Sequence, residues 1–230
     1  MAKKPVITAK EAAAMIPEGA TIMLGGFLAC GQARAIVKEL AASGKGGFTL
    51  IANDMSREVG PGGEAYYGAA ELIHNKQVKR VIATHVGLSP EVGAQNLAGE
   101  LQVDLLPQGT LAECIRAAGA GLGGVLTPTG VDTLVEDSPF CLGKKEINGK
   151  QYLLMAPIHA DIALLGAYKC DEAGNCWYKG TMRNFNPVMA TAADLVIAEA
   201  EYVVPVGEIE HENVHTPGIC VNYIVKGETK

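Results

Sequence analysis

The residues best placed to do chemistry in this chain of 230 residues lie in three glycine-bearing segments. The first is Gly25-Gly26-Phe27-Leu28-Ala29-Cys30-Gly31. Glycines let a backbone approach a ligand closely, and the amides that open a following helix can hold phosphate or carboxylate oxygens. The run is not a P-loop. Gly26 and Gly31 have the separation of that motif, but Gln32-Ala33 stands where Lys-Ser/Thr would bind phosphate and magnesium. It is also an incomplete dinucleotide fingerprint, in the order G-G-x-x-x-x-G, although Asp54 resembles a ribose-binding acid and keeps a nucleotide (NAD)-dependent oxidoreductase open as a rival. Taken alone, the loop reads equally as a tight turn. The second segment is Pro107-Gln108-Gly109, where the Gln108 amide can donate to a developing oxyanion or satisfy local turn backbone. The third is Gly119-Ala120-Gly121-Leu122-Gly123-Gly124 with Leu126-Thr127-Pro128-Thr129-Gly130. It suits a loop pressed against another backbone or an extended ligand, and reads equally as an irregular connection.

Other chemistries are disfavoured. His211 and His215 would share a face only on a helix, and Pro217-Gly218 follows at once; His74, His85 and His159 are isolated, so no metal site is expected. No G-x-S-x-G elbow supports a serine hydrolase. The six cysteines are dispersed without a C-x-x-C, which reads as reduced thiols of a cytoplasmic protein. Basic and acidic residues, 19 against 25, are scattered along the chain, which argues against nucleic acid or an anionic membrane as partner. The start, Met1-Ala2-Lys3-Lys4-Pro5-Val6, lacks the apolar stretch of a secretory signal, and apolar runs such as residues 162–168 fall far short of the ~20 residues that cross a bilayer.

The elements that must position these residues follow from pattern. Thr8-Ala9-Lys10-Glu11 is a capping box opening a helix to about Ile16, and residues 21–24 read as a short buried strand. After the first glycine loop, Ala33, Ile36, Val37 and Leu40 recur at helical spacing over residues 32–42. Strands are expected at 48–52, 78–84 and 101–106. Helices are expected at 65–73, after Ser89-Pro90-Glu91, and after a second capping box at Thr110-Leu111-Ala112-Glu113. This alternation predicts an α/β chain, a mainly parallel sheet with helices on both faces. Past Gly130 the texture becomes antiparallel. Asn148-Gly149 marks a hairpin, and residues 161–168 can pair with 176–179 before a helix at 187–193 and a strand at 195–198. No linker divides the chain, so residues 1–230 are expected to form one domain. Ligands of such sheets bind at the carboxyl ends of the strands, where all three glycine-bearing segments are expected to fall.

Six stretches together carry a resemblance: Leu24-Gly25-Gly26-Phe27, the run from Pro107 through Glu113, Ala118-Gly119-Ala120-Gly121-Leu122-Gly123, Thr127-Pro128-Thr129-Gly130, Arg183-Asn184-Phe185-Asn186-Pro187 and His215-Thr216-Pro217-Gly218. In this order, over nearly the whole length, the chain resembles the α subunit of family I coenzyme A transferases, the 3-oxoacid and acetate/butyrate–acetoacetate group. The resemblance implies a CoA-transferase fold and transfer of CoA between short-chain carboxylic acids through a glutamyl-CoA intermediate. The glutamate of that intermediate lies in a Ser-Glu-Asn-Gly-type motif of a β subunit. No such motif occurs here, so the chain is expected to be inactive alone and to work in an α2β2 assembly. By the same resemblance Gln108 belongs to an oxyanion hole, and Gly25, Gly26, Phe27, Leu28, Ala29, Cys30 and Gly31 to coenzyme A binding. CoA is then a substrate and no cofactor is implied. A non-catalytic CoA-binding subunit is a further rival. Two positions depart from the family pattern, Glu18 for Asp or Asn and Ala33 for proline, and both bear on acyl preference.

Overall fold

The structure is a computed structural model that describes residues 2–227. In chain order its elements are β1 (Val6–Ile7), α1 (Ala9–Met15), β2 (Thr21–Leu24), α2 (Arg34–Ala42), β3 (Phe48–Ile51), β4 (Arg57–Val59), β5 (Ala65–Tyr67), α3 (Ala69–His74), β6 (Val78–Ala83) and α4 (Pro90–Leu97). There follow β7 (Gln102–Leu105), α5 (Gln108–Gly119), β8 (Val125–Thr127), β9 (Cys141–Ile147), β10 (Lys150–Met155), β11 (Ala160–Asp171), β12 (Cys176–Trp177), α6 (Asn186–Met189), β13 (Ala193–Val204) and β14 (Tyr223–Lys226).

One sheet organises the molecule, in the order β1-β14-β13-β11-β2-β3-β6-β7, with every neighbouring pair parallel and β12 added antiparallel to β11. From β2 the chain winds through β3, β6 and β7 in one direction, and later strands fill the other side. The winding therefore reverses between β2 and β11, where an open parallel sheet leaves a crevice at its carboxyl edge.

Alternation along the strands assigns the two faces. Ile22, Leu24, Leu50, Ala52, Val81, Ala83, Ile162 and Leu164 pack with Ile16, Ile36, Leu40, Leu72 and Val92 from α1 to α4 and the turn after α1. Their neighbours Met23, Ile51, Ile82, Ala163 and Leu165 face the other way, onto Leu111, Cys114 and Ile115 of α5 and Met189 of α6. Each large apolar side chain so buried contributes roughly 1.5–3 kcal/mol. That burial on both sides is why the strands read as near-continuous apolar runs. The second core also takes Leu153 and Met155 from the antiparallel sheet β8-β10-β9. A three-stranded sheet needs such a buried face to be stable.

Most expected elements are present, including the Thr8 capping box and the Asn148-Gly149 hairpin, with φ of 53° and 74° at its two central residues. Two expectations are corrected. The second capping box does not form: Pro107 stands at the N-cap of α5 and the Leu111 amide bonds back to its carbonyl at 2.9 Å. Thr110 is thereby drawn into the first turn, where its hydroxyl is buried without a partner. Residues 65–73 are not one helix. Ala65–Tyr67 pairs with Arg57–Val59 as a hairpin, and Gly68, at φ 66°, breaks the chain before α3. The Gly60-Pro61-Gly62-Gly63 turn is the signal for that hairpin.

The expectation about histidines stands differently for the two residues near the C-terminus. Among the described residues no group of three His, Cys, Asp or Glu could hold a metal. His211 lies in a short 3-10 turn, His211–Asn213. His215 instead locks a fold contact, its Nδ1 accepting the Tyr178 amide at 3.1 Å while the Tyr178 hydroxyl and the Thr216 Oγ1 share a buried hydrogen bond of 2.8 Å. Burial, reinforced by the Arg183 charge, holds the His215 imidazole below its ordinary pKa of 6.5. A base whose folded pKa is depressed stabilises the fold fully above its unfolded value and loses that contribution as pH falls through the folded one. Resistance to urea is therefore expected to fall as pH drops from about 7 to about 5, and His215→Asn to flatten part of that slope. Identical slopes in the two chains would contradict this role.

Candidate functional site

The glycine loop lies at the point where the winding of the sheet reverses. Gly25 leaves β2 with its amide bonded to the Leu164 carbonyl of β11 at 3.0 Å. Phe27 and Cys30 then exchange two backbone hydrogen bonds, 3.1 and 2.9 Å, around Leu28 and Ala29. These two carry positive φ, 49° and 64°, the backbone of a tight hairpin turn without the glycine that would make it easy. Left-handed backbone at a non-glycine residue costs on the order of 1–3 kcal/mol, so the surroundings must hold it.

They do so from three directions. Asp54, buried after β3, accepts the Leu28 amide at 2.9 Å and the Ser56 amide at 2.8 Å, and its Oδ2 also accepts the Asn53 side chain at 2.7 Å. Asn184 accepts the Gly26 amide at 3.1 Å and donates to the Cys30 carbonyl at 3.0 Å. Asn186, fully buried at the start of α6, accepts the Gly166 amide at 3.1 Å and donates to the Gly31 and Met182 carbonyls at 2.9 and 2.8 Å. The packing tolerates no extra atom here. A Cβ on Gly25 would overlap the Asn186 amide, and one on Gly166 would overlap the Gly31 carbonyl. Two separate stretches of the sequence pattern, Gly25 to Gly31 and Arg183 to Pro187, are thus halves of one clasp.

This geometry answers the sequence-based questions about the loop. Asp54 is committed to loop and local backbone amides, which leaves the oxidoreductase reading without its ribose ligand. Ala33 provides no side-chain cap to α2. In its place Glu199 of β13 accepts the Ala35 and Ile36 amides at 3.1 and 3.0 Å. A tertiary carboxylate does what a capping side chain would, and it complements the positive end of the helix dipole. Gln32 is also spent on structure, its Oε1 accepting the Ser56 hydroxyl and the Ala69 amide, each at 3.2 Å.

Gln108 opens α5 just past the carboxyl end of β7, the outer strand of the sheet on that side, and its side chain is exposed. The glycine loop and Gln108 share the carboxyl edge of the sheet but are separated by β3 and β6, three strand spacings or about 14 Å. The chain does not bring them into contact. The third glycine segment splits: residues 119–124 lead out of α5, while Val125–Thr127 forms β8 beside a pocket of about 350 Å³ lined by residues that include Gly109, Thr110, Glu113 and Leu126.

A cleft of about 240 Å³ opens between the glycine loop and the β4–β5 hairpin. Leu28, Ala29, Cys30 and Gly31 line it with Arg34, Arg57, Tyr67 and Gly166. Arg34 and Arg57 drew no notice in the sequence. Arg57 lies on β4, a short strand with no local pattern whose partner β5 reads as part of a helix, and Arg34 looks like any solvent-facing helical arginine. Among the described residues no helix is long and apolar enough to cross a membrane.

Comparison with known proteins agrees with this architecture. Residues 6–227 match the family described as Coenzyme A transferase. The acetoacetyl-CoA:acetate/butyrate CoA transferase alpha subunit of Clostridium acetobutylicum is 47% identical over 211 residues, 91% of either chain. The acetate CoA-transferase subunit alpha of Escherichia coli strain K12 is 42% identical over 226 residues, 97% of either chain. An acyl-CoA transferase from Escherichia coli O157:H7, solved as a thioester complex with CoA, shares the fold with a TM-score of 0.83 at 22% identity. That match takes in 98% of this chain but 47% of the other, so this chain spans about half the length of that structure.

The clasp makes a stability prediction. Asn186→Ala removes three hydrogen bonds and leaves buried backbone groups unpaired, at a cost of about 3 kcal/mol. Urea unfolding of the two chains measures it, and a difference within experimental error would show that the loop is held by other contacts.

Proposed function

The chain belongs to the coenzyme A transferase family, and from that membership we propose that it serves as the α subunit of a two-subunit cytoplasmic enzyme moving CoA between short-chain carboxylic acids, acetate, butyrate and acetoacetate. The observation that carries the reading is identity of 47% and 42% to two chains named as alpha subunits, over at least 91% of every chain involved. Names of that kind imply a β subunit, and an α2β2 assembly is the form proposed. CoA enters as a substrate, without a separate cofactor.

The chemistry divides between the two subunits. A glutamate of the β subunit attacks the acyl-CoA carbonyl, giving an acyl-glutamyl anhydride and CoA thiolate. The thiolate attacks the glutamyl carbonyl, releasing the first acid and leaving a glutamyl-CoA thioester. The second acid repeats the two steps in reverse, so the energy of the thioester is conserved in the anhydride and one difficult exchange becomes several easier ones. Each step passes through a tetrahedral oxyanion. In this reading Gln108 donates its side-chain amide to that oxyanion, and the segment Gly25 to Gly31 binds coenzyme A. Exposure of Gln108 beside the outer strand β7 supports this placement, since a partner chain can reach it there. Covering it would also exclude water, which strengthens such a hydrogen bond.

Loss of a single oxyanion donor typically lowers kcat by about 10²- to 10³-fold. Gln108→Ala, purified with the β subunit, is expected to assemble normally and bind CoA as tightly as the parent while turning over more slowly by that factor. An unchanged kcat would remove Gln108 from the chemistry.

A further inference from the structure

We propose that the pocket between the first turn of α5 and β8 receives the acyl chain of the exchanged acid, and that the Thr110 hydroxyl there donates to the 3-oxo oxygen of an acetoacetyl group. The inference rests on the transferase reading above and adds to it the residues that choose between acids.

The pocket has a volume of about 350 Å³. One wall is the start of α5, where Gly109 and Glu113, four residues apart, share a helix face, with Thr110 beside them. The other wall is β8, with Val125, Leu126 and Thr127. Leu126 is 43% exposed, so the pocket offers apolar surface that this chain leaves open.

Thr110 is the observation that points to a ligand. The residue is 4% exposed, and among the described residues its Oγ1 has no hydrogen-bond partner. A buried hydroxyl left unpaired carries the full cost of its lost hydration, and such groups are few in folded proteins. The neighbouring Thr127 Oγ1 is already used, since it accepts the Thr129 amide at 3.1 Å. Among the described residues no lysine, arginine or histidine lines the pocket, and the Glu113 carboxylate pairs with Arg116 at 2.8 Å. A neutral chain bearing one acceptor matches this lining, with its carbons against Val125 and Leu126 and its oxygen toward Thr110. Of acetate, butyrate and acetoacetate, only the last has a 3-oxo oxygen to offer.

Position ties the pocket to the reacting carbonyl. Gly109 follows Gln108 directly, and consecutive Cα atoms lie about 3.8 Å apart. A carbonyl held by Gln108 therefore needs only a few atoms of chain to enter the pocket, which suits acids of two to four carbons. Neither backbone nor packing calls for glycine at 109: its φ is not left-handed, and a Cβ there would meet nothing within 4 Å. In a helix glycine is less stable than alanine. What the missing side chain does provide is room beside Gln108.

The test uses the enzyme purified with its β subunit, as parent, Thr110→Val and Gly109→Ala. Neither substitution removes a hydrogen bond of this chain, and alanine favours the helix, so both variants are expected to fold. In Thr110→Val the ratio of kcat/KM for acetoacetyl-CoA over butyryl-CoA should fall about tenfold, the loss of one hydrogen bond to the 3-oxo oxygen. In Gly109→Ala the ratio for butyryl-CoA over acetyl-CoA should fall about tenfold or more, since room for one methylene is worth about 10- to 200-fold. Absence of either shift, or an equal loss for every acyl-CoA, overturns the proposal. Should a variant fail to assemble, Leu126→Ala at its half-exposed position on β8 decides instead. The wider pocket should raise kcat/KM for hexanoyl-CoA over butyryl-CoA about tenfold, and an unmoved ratio overturns the proposal. Failure of the transferase reading would look different: a parent pair with no transfer activity at all would remove that reading and this one together.

Discussion

The structure turns on the two side-chain amides, Asn184 and Asn186, that tie the glycine loop to the crevice between β2 and β11. Without them the loop would be a strained hairpin at the end of a strand, with Leu28 and Ala29 in left-handed backbone. With them, the carbonyls of Cys30 and Gly31 and the amide of Gly26 are satisfied by one short segment 154 to 158 residues away, which also takes the Gly166 amide of β11. The fit works because Gly25, Gly31 and Gly166 present no Cβ to the contact. A few polar atoms in a close-packed place thus set the shape of the cleft, the start of α2 and the spacing to the hairpin that carries Arg57.

The same arrangement fits the proposed sharing of the active site with a β subunit. Its glycine loop lies where the winding of the sheet reverses. Its candidate oxyanion donor lies beyond the outer strand, open to solvent. A hydrogen bond from an exposed glutamine in water does little for catalysis, because water competes for the same oxyanion. The geometry gains meaning when a second subunit covers Gln108 and brings a carboxylate to it.

Much of this was legible beforehand. The parallel core and its two-sided cover followed from apolar runs broken by glycine, and the late hairpin followed from Asn148-Gly149. The glycine loop could be placed at a strand end because Thr21–Leu24 and the helical spacing after it are local signals. What escaped were features decided across long separations. Glu199 caps a helix that begins at Arg34, and Asn186 holds Gly31; no local pattern marks either pairing. The misread of residues 65–73 has a local cause. The alanines of Gly68-Ala69-Ala70 favour helix, but the turn Gly60 to Gly63 returns the chain along β4 first, and Tyr66 takes a positive φ of 53°. Thr110 failed as a cap because Pro107 had already supplied a carbonyl and a fixed φ of −54° one turn earlier.

The most direct measurement of the account is a CoA transfer assay on the purified chain, alone and after addition of its β subunit. The chain by itself is expected to give no transfer between acetate and an acyl-CoA, and full turnover is expected once the pair is formed. Transfer by the isolated chain would mean that it holds its own nucleophile, contradicting the division of chemistry on which the site has been interpreted.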